Sequence, residues 1–181
     1  VAAVADPFLP VPLTVTKGYA PPGFVGPGTL CFAVSFSGNT EETVGAAQAA
    51  AAAGAHVVVV SRGGELASLA PGWQSPLVPV PDDIPQPRAA LGALSVPMLV
   101  LLEKVGLFPG ASSWVSAAVS QLAIRRDAVF SGDSAADIAR TIGPTIPLLV
   151  GAGPVGAVAA QRWKAQVNEN AKAPAFTAAI P

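Results

Sequence analysis

The stretch Thr29-Leu-Cys-Phe-Ala-Val-Ser35, followed after a short turn by residues 41–53 and then by His56-Val-Val-Val-Val-Ser61, decides the fold of this chain. The two flanking runs are short and largely apolar, which is typical of strands inside a parallel sheet covered on two faces. Residues 41–53 are rich in alanine, contain Gly45 as their only glycine or proline, and are followed by Gly54, a residue suited to a helix end. This order predicts a β-α-β unit.

Further short runs extend the same alternation along the chain. Strand-sized apolar runs lie at 11–16, 76–80 and 146–150, and helical patterns lie at 88–105, 112–129, 133–142 and 155–172. The pattern predicts the α/β class, with a parallel β-sheet flanked by helices. We expect one near-complete domain at 1–105, connecting helices at 106–144 and the start of a second, similar domain at 145–181. The strands that pair with the run at 146–150 are expected beyond Pro181.

Composition excludes several classes of protein. Hydrophobic residues make up 51% and charged residues 12%, so a globular core is expected and disorder is not. Ten basic residues against eleven acidic ones leave no excess of positive charge for nucleic acid. The mean hydropathy is +0.53, yet no apolar run reaches the roughly 18 residues that a membrane span needs. A lone cysteine, Cys31, permits no internal disulfide and fits the cytoplasm. Since the chain opens at Val1 without a methionine, we expect a fragment.

The sequence Ser35-Phe-Ser-Gly-Asn-Thr40-Glu-Glu lies between the predicted strand and the start of the predicted helix. Free amides and the helix dipole favour an anion at such a position. Hydroxyl groups on Ser35, Ser37 and Thr40 would surround a phosphate with neutral donors. An alternative interpretation is structural: Asn39 caps the helix, with Glu42 three residues later. This alternative leaves the three hydroxyl residues unexplained.

The sequence Gly151-Ala-Gly-Pro-Val-Gly156 matches the dinucleotide-binding pattern of three glycines between a strand and a helix. A dinucleotide site also needs a second strand that ends in an acidic residue. Glu169 falls inside the predicted helix, and no strand is expected after that helix before Pro181. A nicotinamide-dependent oxidoreductase is therefore a weak hypothesis.

Three further polar positions could carry chemistry or be ordinary surface residues. Glu169 stands between two asparagines, where it could be functional or simply pair with Lys172 on a solvated helix end. Arg88 follows closely spaced prolines and could face a cleft or lie in water at a helix start. His56, the single histidine, begins a predicted strand outside every motif, and we expect a structural role for it.

Three motifs together give the chain a family resemblance. They are Ser35-Phe-Ser-Gly-Asn-Thr-Glu-Glu-Thr43, Gln86-Pro-Arg-Ala-Ala90 and Arg162-Trp-Lys-Ala-Gln-Val-Asn-Glu-Asn-Ala-Lys172. In this order and approximate spacing they resemble the bifunctional phosphoglucose/phosphomannose isomerase family, which has the sugar isomerase (SIS) fold. The resemblance implies two SIS domains in a homodimer. It also places a glycine-rich turn before Val1 and a His-Asn-Glu motif after Pro181, so His56 does not take the role of the family's ring-opening histidine.

The resemblance implies a role for each candidate residue. Ser35, Ser37 and Thr40 would bind the substrate phosphate, Arg88 would lie beside the sugar, and Glu169 would be the carboxylate base. The implied reaction interconverts glucose 6-phosphate and mannose 6-phosphate with fructose 6-phosphate through an enediolate, with no cofactor and no metal. The alternative is a non-catalytic SIS module that binds a sugar phosphate as a sensor.

Overall fold

The computed structural model describes residues 1–131 and 134–181. Its helices are α1 (Ala2–Ala5), α2 (Glu41–Ala52), α3 (Gly64–Leu69), α4 (Leu91–Lys104), α5 (Ala111–Ser131), α6 (Ser134–Ile142) and α7 (Gly153–Gln166). The strands are β1 (Leu30–Ser35), β2 (His56–Ser61), β3 (Leu77–Pro79), β4 (Leu148–Ala152) and β5 (Phe176–Ile180). Short 3₁₀ turns lie at Asp6–Phe8, Ala70–Trp73 and Pro87–Ala89, and a π-helical turn lies at Val167–Ala171.

The chain divides into two compact units, which are described separately. The N-unit consists of Pro10–Leu107 together with Ala2, and the C-unit consists of Val1, Ala3–Leu9 and Phe108–Pro181. The α/β class with parallel sheets is confirmed. The division into domains at 1–105, 106–144 and 145–181 stays a prediction.

The N-unit contains a parallel sheet in the order β1-β2-β3. Helices α2 and α4 pack against β1 and β2, and α3 packs against β2. One core combines Ala33, Val57 and Val59 of the sheet with apolar residues of α2 and α3. Val60, on the other side of β2, is also fully buried. β2 is therefore the central, covered strand that the valine run predicts, whereas β1 lies at an edge of the described sheet and is only partly buried.

Helix α2 ends as its sequence predicts. Gly54 has φ +85°. Its N–H bonds the Ala51 carbonyl at 2.9 Å, and the Ala55 N–H bonds the Ala50 carbonyl at 3.0 Å. These two bonds form a Schellman motif, which satisfies carbonyls that the last helical turn leaves open.

The predicted strand at 11–16 is wrong. These residues have no regular secondary structure in the described chain. Pro10 and Pro12 lack the N–H that a strand ladder needs, and the side chains of Val11 and Val15 are exposed. An apolar alternation without a partner strand is therefore not sufficient for a strand.

The C-unit contains a strand that the sequence did not predict. β5 pairs in parallel with β4, in register from Leu148 opposite Phe176 to Ala152 opposite Ile180. A partner of β4 therefore lies before Pro181, contrary to expectation. Helix α7 connects and packs against both strands, giving a second β-α-β unit.

The two middle helical patterns are found as α5 and α6, although the predicted helix start at position 133 lies outside the described residues. Near the start of α5, Phe108 packs edge-on against Trp114 with ring centroids 5.4 Å apart, and Phe8 contacts both rings. Among residues 1–131 and 134–181, no helix combines the length and the apolar character that a membrane span requires.

Candidate functional site

The turn between β1 and α2 lies at the carboxyl edge of the N-unit sheet. β1 ends at Ser35 directly beside Ser61, the last residue of its parallel neighbour β2. Open α/β sheets bind ligands outside the carboxyl ends of their strands. We call residues 35–40 the anion turn, because α2 begins immediately after it and the first amides of a helix have no acceptor within the helix.

The three predicted phosphate-binding hydroxyl groups come together in the anion turn, but their environments differ. Ser35 is buried, whereas Ser37 and Thr40 are exposed. Ser35 Oγ lies 2.8 Å from Thr40 Oγ1 and accepts a 3.1 Å hydrogen bond from the Gly38 N–H. Ser37 Oγ accepts a 3.2 Å bond from the Asn39 N–H. When Ser35 donates to Thr40, the hydroxyl hydrogens of Ser37 and Thr40 both remain for an external acceptor.

Asn39 does not cap its own helix, so the capping-box interpretation with Glu42 is wrong. The N-cap residue of α2 is Thr40, which makes no side-chain cap. Asn39 Oδ1 instead accepts a 2.8 Å hydrogen bond from the Glu65 N–H, in the first turn of α3. The Asn39 amide oxygen is bound to the next helix and does not accept from the first N–H groups of α2. Another acceptor can therefore bind these N–H groups.

Backbone contacts hold the anion turn against the turn that follows β2. The Phe36 carbonyl accepts a bond from the Arg62 N–H, and the Gly38 carbonyl accepts one from the Leu66 N–H, both at 3.0 Å. Gly38 has φ +76°, and a Cβ at this position would lie 1.8 Å from the Gly63 carbonyl oxygen. Glycine alone fits such a close backbone approach. The shape of the anion turn therefore depends on tertiary contacts with the β2–α3 turn.

Charges of both signs surround the anion turn. Glu41 and Glu42 occupy the first turn of α2, where they interact favourably with the helix dipole. The Arg62 guanidinium carbon lies 5.6 Å from the centroid of the Phe36 ring, a cation–π distance. Sequence reasoning missed Arg62. The sequence feature that could have indicated Arg62 is its position directly after the buried strand β2, at the sheet edge where the anion turn lies.

Arg88 lies in the N-unit, in the segment that links β3 to α4. It is half-buried within the 3₁₀ turn Pro87–Ala89. The helix predicted to start at Arg88 begins at Leu91 instead. The reason is that the Ala89 and Ala90 amides bond carbonyls three residues back, at 3.0 Å, and so form a 3₁₀ turn first.

Glu169 lies in the C-unit, in the π-helical turn Val167–Ala171, where the sequence predicts a continuous α-helix. Asn168 Nδ2 donates to the Ala173 carbonyl at 2.8 Å, and Asn170 Nδ2 donates to the Gln166 carbonyl at 3.0 Å. Glu169 itself is exposed. π-helical turns are rare and are frequent at functional sites. The two asparagines thus hold the backbone on either side of the candidate base.

The glycine-rich turn between β4 and α7 serves close packing. A Cβ on Gly151 would lie 2.1 Å from the Gly156 carbonyl oxygen, so strand and helix approach each other at these glycines. β5 follows α7, which corrects the expectation that no strand comes after this helix. β5 reads Phe-Thr-Ala-Ala-Ile and carries no acidic residue for a ribose hydroxyl. The dinucleotide hypothesis therefore gains no support.

The predicted site residues divide between the units. Four lie in the N-unit, and Glu169 lies in the C-unit. His56 begins β2, at the sheet edge opposite the anion turn. Within residues 1–131 and 134–181, no three His, Cys, Asp or Glu side chains cluster where a metal ion could bind.

Known proteins match the chain along most of its length. Residues 132–181 match the family described as the bacterial phospho-glucose isomerase C-terminal SIS domain. A bifunctional phosphoglucose/phosphomannose isomerase of Caldicellulosiruptor bescii is 33% identical over 171 residues, covering 92% of this chain and 50% of the relative. The predicted family resemblance is confirmed. A protein of the same name from Thermoplasma acidophilum is 34% identical over 166 residues, again covering 92% of this chain and 50% of the relative.

The chain spans about half the length of these phosphoglucose/phosphomannose isomerases. A solved structure shows the same fold. It is described as a phosphosugar isomerase from Salmonella typhimurium LT2 and superposes with a TM-score of 0.62 at 18% sequence identity. The superposition covers 87% of this chain and 49% of that chain.

Proposed function

We propose that this chain is part of an aldose–ketose isomerase that interconverts glucose 6-phosphate and mannose 6-phosphate with fructose 6-phosphate. The observation that carries the proposal is the anion turn, where exposed hydroxyls and helix amides converge at the carboxyl edge of a parallel sheet. The names of the relatives support the substrate class. A preformed phosphate site lets binding energy remote from the reacting carbons orient the sugar.

The anion turn would hold the phosphate through two exposed hydroxyls and the helix start. Ser37 and Thr40 would donate to phosphate oxygens. The buried Ser35 hydroxyl forms a hydrogen bond with the Thr40 hydroxyl and so orients it. The turn is fixed by backbone bonds before any ligand arrives, so little ordering is needed on binding. The negative charges of Glu41 and Glu42 limit the positive potential at the anion turn. Hydrogen bonds would therefore be the main source of its specificity for phosphate.

Ser37→Ala is expected to weaken phosphate binding. The lost hydroxyl donor to a charged oxygen is worth about 1.5 to 3 kcal/mol, so the KM for the sugar phosphate should rise roughly tenfold or more. The inhibition constant of inorganic phosphate measures the same loss with a ligand that does not react. Ser116→Ala is a matched control, because this exposed hydroxyl bonds the Ser112 carbonyl of its own helix. An unchanged inhibition constant in Ser37→Ala would remove this side chain from the site.

Glu169 would act as the base that moves one proton between adjacent carbons. Its carboxylate would take the proton from C2 of the open-chain aldose to give an enediolate. It would return that proton to C1 while the hydroxyl proton passes from O2 to O1, which gives the ketose. The intermediate has no stereochemistry at C2, so glucose and mannose phosphates share it. The proton and the electron pair stay within substrate and carboxylate, so this reaction requires no cofactor.

Arg88 would stabilise the negative charge that develops on the sugar oxygens. Arg88→Lys keeps the charge but loses the planar fork, so kcat should fall about tenfold or more while KM changes little. Steady-state kinetics in both reaction directions measure this split. The inhibition constant for inorganic phosphate should stay unchanged, because the anion turn is not altered. Wild-type kinetics in Arg88→Lys would favour the alternative, an arginine that lies in water near a helix start.

The test of the proposed function is turnover by the full-length protein. Fructose 6-phosphate should give both glucose and mannose 6-phosphates, followed by NMR of the sugar C1 and C2 signals. Binding of fructose 6-phosphate without turnover would favour the alternative, a sugar-phosphate sensor. The homodimer implied by the family resemblance and the cytoplasmic location inferred from the lone cysteine stay predictions.

A further inference from the structure

Arg62 connects the anion turn to the segment that follows β3. Its guanidinium lies over the ring of Phe36, inside the anion turn. The same group donates through Nε to the Asp82 carboxylate at 3.1 Å and through Nη2 to the Asp82 carbonyl at 2.6 Å. Nη1 lies 3.5 Å from the Ile84 carbonyl, at the outer limit of a hydrogen bond. One side chain therefore joins two loops at the carboxyl edge of the sheet.

The bond to the main chain matters more than the ion pair. The Asp82 side chain is 92% exposed, and exposed ion pairs contribute little. The short bond to the Asp82 carbonyl is charge-assisted and does not depend on which side chain stands at position 82. Arg62 therefore holds the backbone of residues 82–84 in place, and it does so through the geometry of its fork.

The held segment leads to Arg88 through restricted backbone. Val80 and Ala90, at the two ends of the segment, are buried. Proline has a fixed φ and also restricts the residue before it, and the segment between these ends has prolines at 81, 85 and 87. A displacement of residues 82–84 would therefore displace Arg88 as well, because the restricted backbone between them can absorb little of the movement.

We propose that Arg62 is a positioning residue that sets the placement of Arg88 by holding residues 82–84 against the anion turn. The inference rests on the proposed function, in which Arg88 stabilises charge on the substrate. The expected effect is on kcat, since a misplacement of about 1 Å can cost up to about a hundredfold in rate. The anion turn should keep its affinity, because its bonds to the β2–α3 turn come from backbone atoms and from Asn39.

The experiment compares variants of the full-length protein by steady-state kinetics, phosphate inhibition and amide hydrogen exchange. Arg62→Ala should lower kcat roughly tenfold with less than about a threefold change in KM. Arg62→Lys should recover only part of this loss, because an ammonium cannot reproduce the fork. Asp82→Ala should have a smaller effect, because the carbonyl acceptor remains. Arg126→Ala removes an exposed Arg–Asp pair on α5 and is the matched control.

A double-mutant cycle separates positioning from a general structural role. In an Arg88→Ala background, Arg62→Ala should cost less than about twofold further, because residues that act as a unit are not additive. An equal loss in both backgrounds would overturn the inference, since Arg62 would then act independently of Arg88.

Hydrogen exchange keeps the test independent of turnover. Arg62→Ala should speed exchange of the amides between positions 82 and 88, with the amides of α2 unchanged. This result supports the positioning role even if the wild-type protein isomerises no sugar phosphate, an outcome that overturns the proposed function alone. Unchanged exchange at 82–88 together with unchanged kcat would overturn the inference.

Discussion

Replacing Glu169 by Gln is expected to reduce turnover by about 10²- to 10⁴-fold with every aldose 6-phosphate, the usual contribution of a positioned base. The amide keeps the size of the carboxylate and removes its basicity. The neighbouring bonds of Asn168 and Asn170 do not involve the Glu169 side chain, so the π-helical turn should persist. Affinity for fructose 6-phosphate should stay near the wild-type value, because the substitution leaves the hydroxyls proposed to bind the phosphate unchanged.

Two measurements made together test this assignment. Coupled assays give turnover, and NMR in deuterated water gives solvent exchange at the sugar's second carbon, which should fall in parallel. Asp127→Asn, which removes an exposed carboxylate paired with Arg126, is the control and should leave both rates unchanged. A Glu169→Gln protein with more than about half of the wild-type turnover would contradict the base assignment, since a surface ion pair affects stability by only a few tenths of a kcal/mol.

Replacing Gly38 by Ala is expected to have the largest effect on stability, with a loss of about 3 to 5 kcal/mol. The new Cβ would lie 1.8 Å from a backbone oxygen, and φ at this position is +76°. Relief of the overlap must move the anion turn away from the β2–α3 turn, which breaks the bonds at Gly38 and Asn39. Urea denaturation measures the change in the free energy of unfolding.

Gly72→Ala is the matched control for this substitution. Gly72 lies in a 3₁₀ turn with open space around its Cα, and its backbone conformation suits any residue. The free energy of unfolding of the Gly72→Ala protein should rise by less than about 1 kcal/mol. If Gly38→Ala unfolds at the wild-type urea midpoint, the turn must have an alternative conformation, and the preformed phosphate site is wrong.

The first β-α-β unit can be predicted from local sequence, because the residues within each strand and helix themselves favour that element. The alanine-rich run of α2 ends at Gly54, which takes the left-handed conformation that its position requires. The valines of β2 are buried on both faces, as a continuous apolar run in a parallel sheet implies. Each of these signals lies within the element that it predicts.

Strand pairing and many side-chain contacts join residues that are far apart in the sequence. The sequence predicts such contacts less well than it predicts helices and turns. Residues 11–16 have a strand-like composition but no partner, whereas β5 has a weak pattern and pairs fully with β4. Ser37 and Thr40 are found in the predicted turn, because the strand and helix around them fix their place. The partner of Asn39 lies 26 positions away on α3, and the contacts of Arg62 lie 20 or more positions away. No spacing rule reports such contacts.

The dependence of the anion turn on the β2–α3 turn has a consequence for folding. The amides that bind the carbonyls of Phe36 and Gly38 belong to Arg62 and Leu66, which leave the ribosome after α2 and β2. A nascent chain that ends before residue 62 contains every hydroxyl of the turn but none of the amides that hold it against the β2–α3 turn. The anion turn therefore reaches its full set of contacts only after the β2–α3 turn has been synthesised, and a sugar phosphate that binds there should act as a ligand of the native state alone, stabilising it by mass action.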